Sequence, residues 1–100
     1  MESANLYEQF ANELSSTLPS AAPGGGTILG LYQEVQNLIV ALRAGDIKGI
    51  FTAVRNIISV FIGEDDGIQF QQSIAAAGIN WSLLKAILKR LLPIILDEIA

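Results

Sequence analysis

Apolar residues recur at helical spacing along nearly the whole chain, and no segment alternates with the two-residue period of a half-buried strand. Five helices are predicted. In the first, from about Asn5 to Leu18, residues Leu6, Phe10, Leu14 and Leu18 line up with Tyr7 and Ala11 beside them. Together they cover an arc of roughly 140°. Asn5 followed by Glu8 has capping-box spacing, and Pro19 stops the helix. The second helix runs from about Thr27 to Ala44, with Gly45 as its C′ residue; Leu29 and Val40 fall off its apolar stripe, on another face. The third is capped by Asp46 and runs to Ile62, with Gly63 after it. Its apolar positions sweep roughly 200°, more than one neighbour covers, so it is expected at the centre of the fold. A short fourth helix, Gly67 to Ala77, is opened by Asp66 with Gln69 and closed by Gly78. Asn80 caps the last, Trp81 to Ile99, in which Pro93 is expected to produce a kink.

Between the first two helices lies PSAAPGGG, stiff at its prolines and loose at its glycines. This divides the chain into an N-terminal helical arm (residues 1–18), a Pro/Gly linker (19–26) and a helical core (27–100). The expected fold is all-α: about five short amphipathic helices in a small orthogonal or bundle-like array, the first set off as an arm.

Composition sharpens this reading. The chain has 100 residues, of which 51% are hydrophobic and only 16% charged. An average domain is about a quarter charged. A folded surface of about 5,500 Å² for this mass allows one modest core. The expectation is therefore a surplus of apolar helix flank that packs against other chains.

The absence of Cys and His removes disulfides, the usual zinc sites, cysteine nucleophiles and every His-dependent triad. Six bases against ten acids, with no base before Arg43, argue against nucleic acid as a partner. The first segment lacks the basic and apolar regions of a signal peptide, and no run approaches the ~20 apolar residues that span a bilayer. The expected location is intracellular and soluble, or within a particle.

Three local patterns invite chemistry, and each has a plainer reading. Gly63-Glu64-Asp65-Asp66-Gly67 fails the calcium-loop spacing at both ends and reads as a helix–helix turn. Gly24-Gly25-Gly26-Thr27 lacks the lysine and the preceding strand of a phosphate loop and reads as linker. Ser82-Leu83-Leu84-Lys85 fits S-x-x-K, but the companion motifs of serine acyl-enzymes are missing, so it reads as a solvated helix face. The chain is expected to be no enzyme and to need no cofactor, metal or small-molecule substrate.

No motif ties the sequence to a family. In outline, short cysteine-free helices round an aliphatic core are similar to the saposin-like bacteriocins, which are basic where this chain is acidic. Its size and sign are similar to those of small acidic immunity proteins. The W-x-G turn of the hundred-residue secreted helical hairpins is absent, since Trp81 is followed by Ser82-Leu83.

The leading functional expectation is a structural subunit that associates with copies of itself or enters a larger assembly, such as a virion or multisubunit complex. The partner-binding candidates are Leu6, Phe10 and Leu14 on the arm, Leu29 and Val40 on the second helix, Trp81, and Asp97. With Glu98, Asp97 crowds the negative end of the last helix and is expected to meet the basic stretch holding Arg43, Lys48 and Arg55. One alternative is a membrane-surface protein that uses Trp81 to Ile99, whose Lys85, Lys89 and Arg90 lie opposite a broad Leu/Ile face. Another is an immunity-type inhibitor that presents the acidic N-terminal half to a basic partner.

Overall fold

Hydroxyl and glycine chemistry at the junctions sets where each helix stops. The computed structural model describes residues 2–63 and 67–99. The helices are α1 (Glu2–Ser15), α2 (Gly26–Ala44), α3 (Ile47–Gly63), α4 (Gly67–Ala76) and α5 (Trp81–Ile99). The fold is all-α, a small bundle.

Helix α1 begins earlier than its spacing suggests, so Asn5 lies inside it and the expected Asn5/Glu8 box is not its start. The helix also ends before Leu18. The hydroxyls of Ser16 and Thr17 donate to the carbonyls of Glu13 (2.6 Å) and Leu14 (2.7 Å), turning the chain out of the helix.

At the end of α2, Gly45 takes the left-handed conformation (φ 68°). Its N–H donates to Leu42 O, and the next N–H, of Asp46, to Ala41 O, which makes a Schellman motif. Asp46 then caps α3, its carboxylate accepting from Gly49 N at 3.1 Å. One residue thus ends α2 and opens α3, and so short a turn folds the two back as an antiparallel hairpin. The same device ends α4. Gly78 (φ 84°) donates to Ala75 O and Ile79 to Ile74 O, with both isoleucines buried. Asn80 caps α5 through Leu83 N at 3.2 Å. The acidic turn and the Asp66 cap expected before α4 lie outside the described residues. Helix α5 runs through Pro93, which faces solvent.

Four helices close a ring in which α1 packs on α2, α2 on α3, α3 on α5, and α5 on α1. Cross-links fix their directions. Along α1 and α5, Thr17 O accepts from Asn80 N at 2.8 Å, and Glu13 meets Arg90 at 3.2 Å. The pair is therefore antiparallel. Arg43 of α2 reaches Asn12 and Ser15 of α1, and Asn56 of α3 donates to Glu34 of α2 at 3.0 Å. Helix α4 carries the chain from α3 to α5 and is held to α5 by Phe70 against Trp81, edge to face at 6.4 Å.

Two expectations are corrected here. Helix α1 is not a detached arm. Its Tyr7, Phe10, Ala11 and Leu14 are buried in the common core, and Leu6 and Leu18 pack against it. A lone helix of this length is marginal in water, and burying each large apolar side chain contributes about 1.5–3 kcal/mol. Docking therefore wins. Nor is α3 central. It forms one wall, with Ile50, Ala53, Val54 and Ile57 inward and Lys48, Thr52, Arg55 and Ser59 in water. Its wide apolar arc is absorbed at the edges by Phe51, Ile58 and Val60, half-buried against the common core.

The ring hides most of the surplus apolar flank that composition implies. Its accessible surface is 5,872 Å², close to the roughly 5,500 Å² of a compact chain of this mass.

Candidate interaction surface

The candidate residues separate into three groups. Phe10 and Leu14 are core, and Leu6 packs on it, so all three are spent within the chain. Trp81 is half-buried and engaged by Phe70, where it helps fasten α4 to α5. Leu29 is half-buried. Val40 and Asp97 are exposed.

Asp97 makes no ion pair with Arg43, Lys48 or Arg55 among the described residues. Arg43 is turned to α1 instead, and Lys48 and Arg55 face outward from α3. The antiparallel pairing of α1 and α5 carries the end of α5 beside the beginning of α1. There Glu98 lies near Tyr7. The Tyr7 hydroxyl is buried with no hydrogen-bond partner, and its pKa is raised above the usual tyrosine value by burial first and by the Glu98 charge second.

Arg90 is a site residue of another sort, unforeseen in that role. Its guanidinium lies over the Phe10 ring, 5.2 Å from the centroid, while pairing with Glu13. The i, i+3 spacing of Phe10 and Glu13 on α1 is the signal that such a clamp leaves in a sequence, but only the α1–α5 pairing brings Arg90 to it.

The large apolar residues exposed by half or more are Val40 (67%), Ile68 (74%), Leu96 (54%) and Ile99 (50%) among the described residues. Val40 is the one set between grooves. On one side, α1 and α2 enclose a cleft of about 540 Å³ lined by Ser15, Leu18, Tyr32 and Gln36. On the other, α2 and α3 enclose one of about 460 Å³. Ala41, Ala44, Gly49 and Ala53 lie along the second, with Glu34, Asn56, Lys48 and Thr52 also lining it. Small residues on both helices of the hairpin form the floor of this open groove, and polar and charged side chains rim it.

Two of the chemistry-bearing patterns lie within the described residues, and neither is joined there by a catalytic or metal-ligating partner. Ser82 and Lys85 both face solvent on α5. Gly25 and Gly26 form the turn into α2, whose first turn has no side-chain cap. No three metal-ligating side chains converge among the described residues. In the same set, no helix is long and apolar enough to cross a membrane. No family model matches the chain, and no curated protein or solved structure is found to be similar to it.

Proposed function

We propose that this chain is a non-enzymatic helical subunit that works by packing against copies of itself. The observation that carries this reading is Val40, an aliphatic residue 67% exposed between two open grooves on the outer side of α2. Burial of such a side chain removes apolar area worth about 25 cal/mol per Å². The core supplies no competing use for it, since α2 turns Leu31, Val35, Leu38 and Leu42 inward. Native mass in dilute buffer, measured with and without detergent, tests the reading. A mass that rises with protein concentration and is insensitive to detergent is expected. A chain that stays monomeric throughout overturns it.

A second reading is supported by α5, where exposed Lys85 and Lys89 are followed on the same helix by exposed Leu96 and Ile99. Basic and apolar residues so placed suit a membrane surface. Flotation with anionic vesicles tests it, and a chain that stays at the bottom of the gradient rules it out.

A further inference from the structure

Helix α4 stands outside the ring, and it is anchored differently from the helices within it. Among its described residues Ile74 alone is fully buried and Phe70 is half-buried, while Ile68 is 74% exposed and Gln69, Gln71, Gln72 and Ser73 face solvent. Helix α1, by contrast, buries Tyr7, Phe10, Ala11 and Leu14. Burial free energy grows with the apolar area removed from water, and a helix of ten residues does not hold its shape in water unaided. Helix α4 therefore depends chiefly on Ile74 and on the Phe70–Trp81 contact. On its other flank, two open clefts separate it from the chain that enters α2. One, of about 590 Å³, lies between Pro23, Gly24 and Ile28 and the Ser73, Ala76 and Ala77 side of α4. The second, of about 350 Å³, sets Gly25, Gly26 and Thr27 against Gln69 and Phe70. We infer that α4 is a hinged flap, which swings off the ring as a unit while α1, α2, α3 and α5 stay folded.

The joint lies at the C-terminal end of α4. Gly78, at φ 84°, precedes buried Ile79 and then Asn80, whose N–H donates to Thr17 O of α1 at 2.8 Å. A Cβ at Gly78 would come to 3.4 Å from Pro19, so the joint sits against the end of α1. The chain is thus pinned just past the glycine, and the glycine supplies the backbone latitude to turn just before the pin. Turning there breaks the bonds from Gly78 N to Ala75 O and from Ile79 N to Ile74 O. It draws Ile74 out of the core and uncovers Trp81, while Ile79 stays in place. A segment with so few buried apolar contacts opens at a lower free energy than the whole fold. The motion is independent of the self-association proposed above. It gives the chain an apolar surface that exists only in the open state.

Residue-resolved hydrogen exchange of the full-length chain under native conditions tests this. The amides to follow are Gln71 to Ile79, because the first four N–H groups of a helix have no partner within it. They are expected to exchange about tenfold or more faster than the slowest amides of α5 between Leu84 and Leu91. Two variants separate a flap from a fold that opens only as a whole. Phe70→Ala destabilises the closed state alone and should speed both groups of amides. Arg90→Ala loosens the α1–α5 contact, which is intact whether the flap is open or closed. It should speed the α5 group about fivefold and leave the α4 group unchanged. Asp46→Ala, at the α2–α3 turn, serves in its place if Arg90→Ala does not fold. Equal exchange of the two groups in the wild type overturns the flap, as does a rise in both on Arg90→Ala or Asp46→Ala. Fast α4 exchange that Phe70→Ala leaves unaltered overturns it too, since Phe70 is then no latch.

Discussion

The same chemical change, glycine to alanine, should move stability in opposite directions at two positions belonging to one helix. Gly30 sits inside α2 with helical backbone, and a Cβ built there meets nothing within 4 Å. Alanine at that site neither packs nor collides, so the expected gain is the difference in helix propensity, about 0.8–1 kcal/mol. Gly45 closes the same helix at φ 68°, and its Cβ position is likewise empty. Here too no contact is made or lost, but alanine must adopt the left-handed conformation, at a cost of about 1–2 kcal/mol. The Schellman bonds from Gly45 and Asp46 resist escape from that conformation. Urea unfolding read by circular dichroism, with an unchanged slope, isolates the stability change. The two variants should differ by about 2–3 kcal/mol, the sum of the two backbone terms. Each should shift the thermal midpoint by several degrees, about 4–8 °C per kcal/mol for a domain of this size. Gly45→Ala as stable as the wild type would refute the left-handed cap. A destabilised Gly30→Ala would show that the helix does not pass through that position as described.

Further outcomes follow from the remaining contacts. Tyr7→Phe removes a buried hydroxyl without a partner, so it should be neutral or stabilising by up to about 1 kcal/mol; a clear loss of stability would mean the hydroxyl is satisfied. The pKa of Tyr7 is raised in the folded chain. The folded state therefore holds its phenolic proton more tightly than the unfolded state does. This contribution is fully present below pH ~10 and is lost as pH climbs through the folded value. Wild type should thus lose stability above pH ~10 through a step that Tyr7→Phe lacks, as alkaline thermal melts would reveal. Asp46→Ala and Asn80→Ala each delete a cap bonded to the helix they open and should each cost about 1 kcal/mol in urea unfolding. Arg90→Ala loses both the Phe10 ring and Glu13 and should cost about 1 kcal/mol. Glu13→Gln, losing only an exposed ion pair, should cost under about 0.5 kcal/mol, and less in high salt; equal losses from the two would argue against the ring contact.

Much of this architecture is written locally. Helix identity, the stops at Gly45 and Gly78, and the caps Asp46 and Asn80 depend on interactions within a few residues, so spacing and turn chemistry suffice to read them. Val40 was legible as an outward residue for the same reason, because the face of a helix follows from its period. Partnership between helices is another matter. The linker after α1 resembles a tether, yet Thr17 O meets Asn80 N, and Phe10 lies beneath Arg90, two contacts between residues far apart in the chain. No local pattern announces either one, and they are what turned an expected arm into the fourth wall of a ring. The wide apolar arc of α3 likewise gave the amount of surface to be covered but not its cover, which the common core provides at the margins. The groove beside Val40 exists only because Ala41 and Ala44 on one helix come to lie beside Gly49 and Ala53 on the next. Periodicity fixes which side of a helix is greasy. Packing alone decides which greasy side meets which, since burial free energy is non-directional and rewards any partner that excludes water.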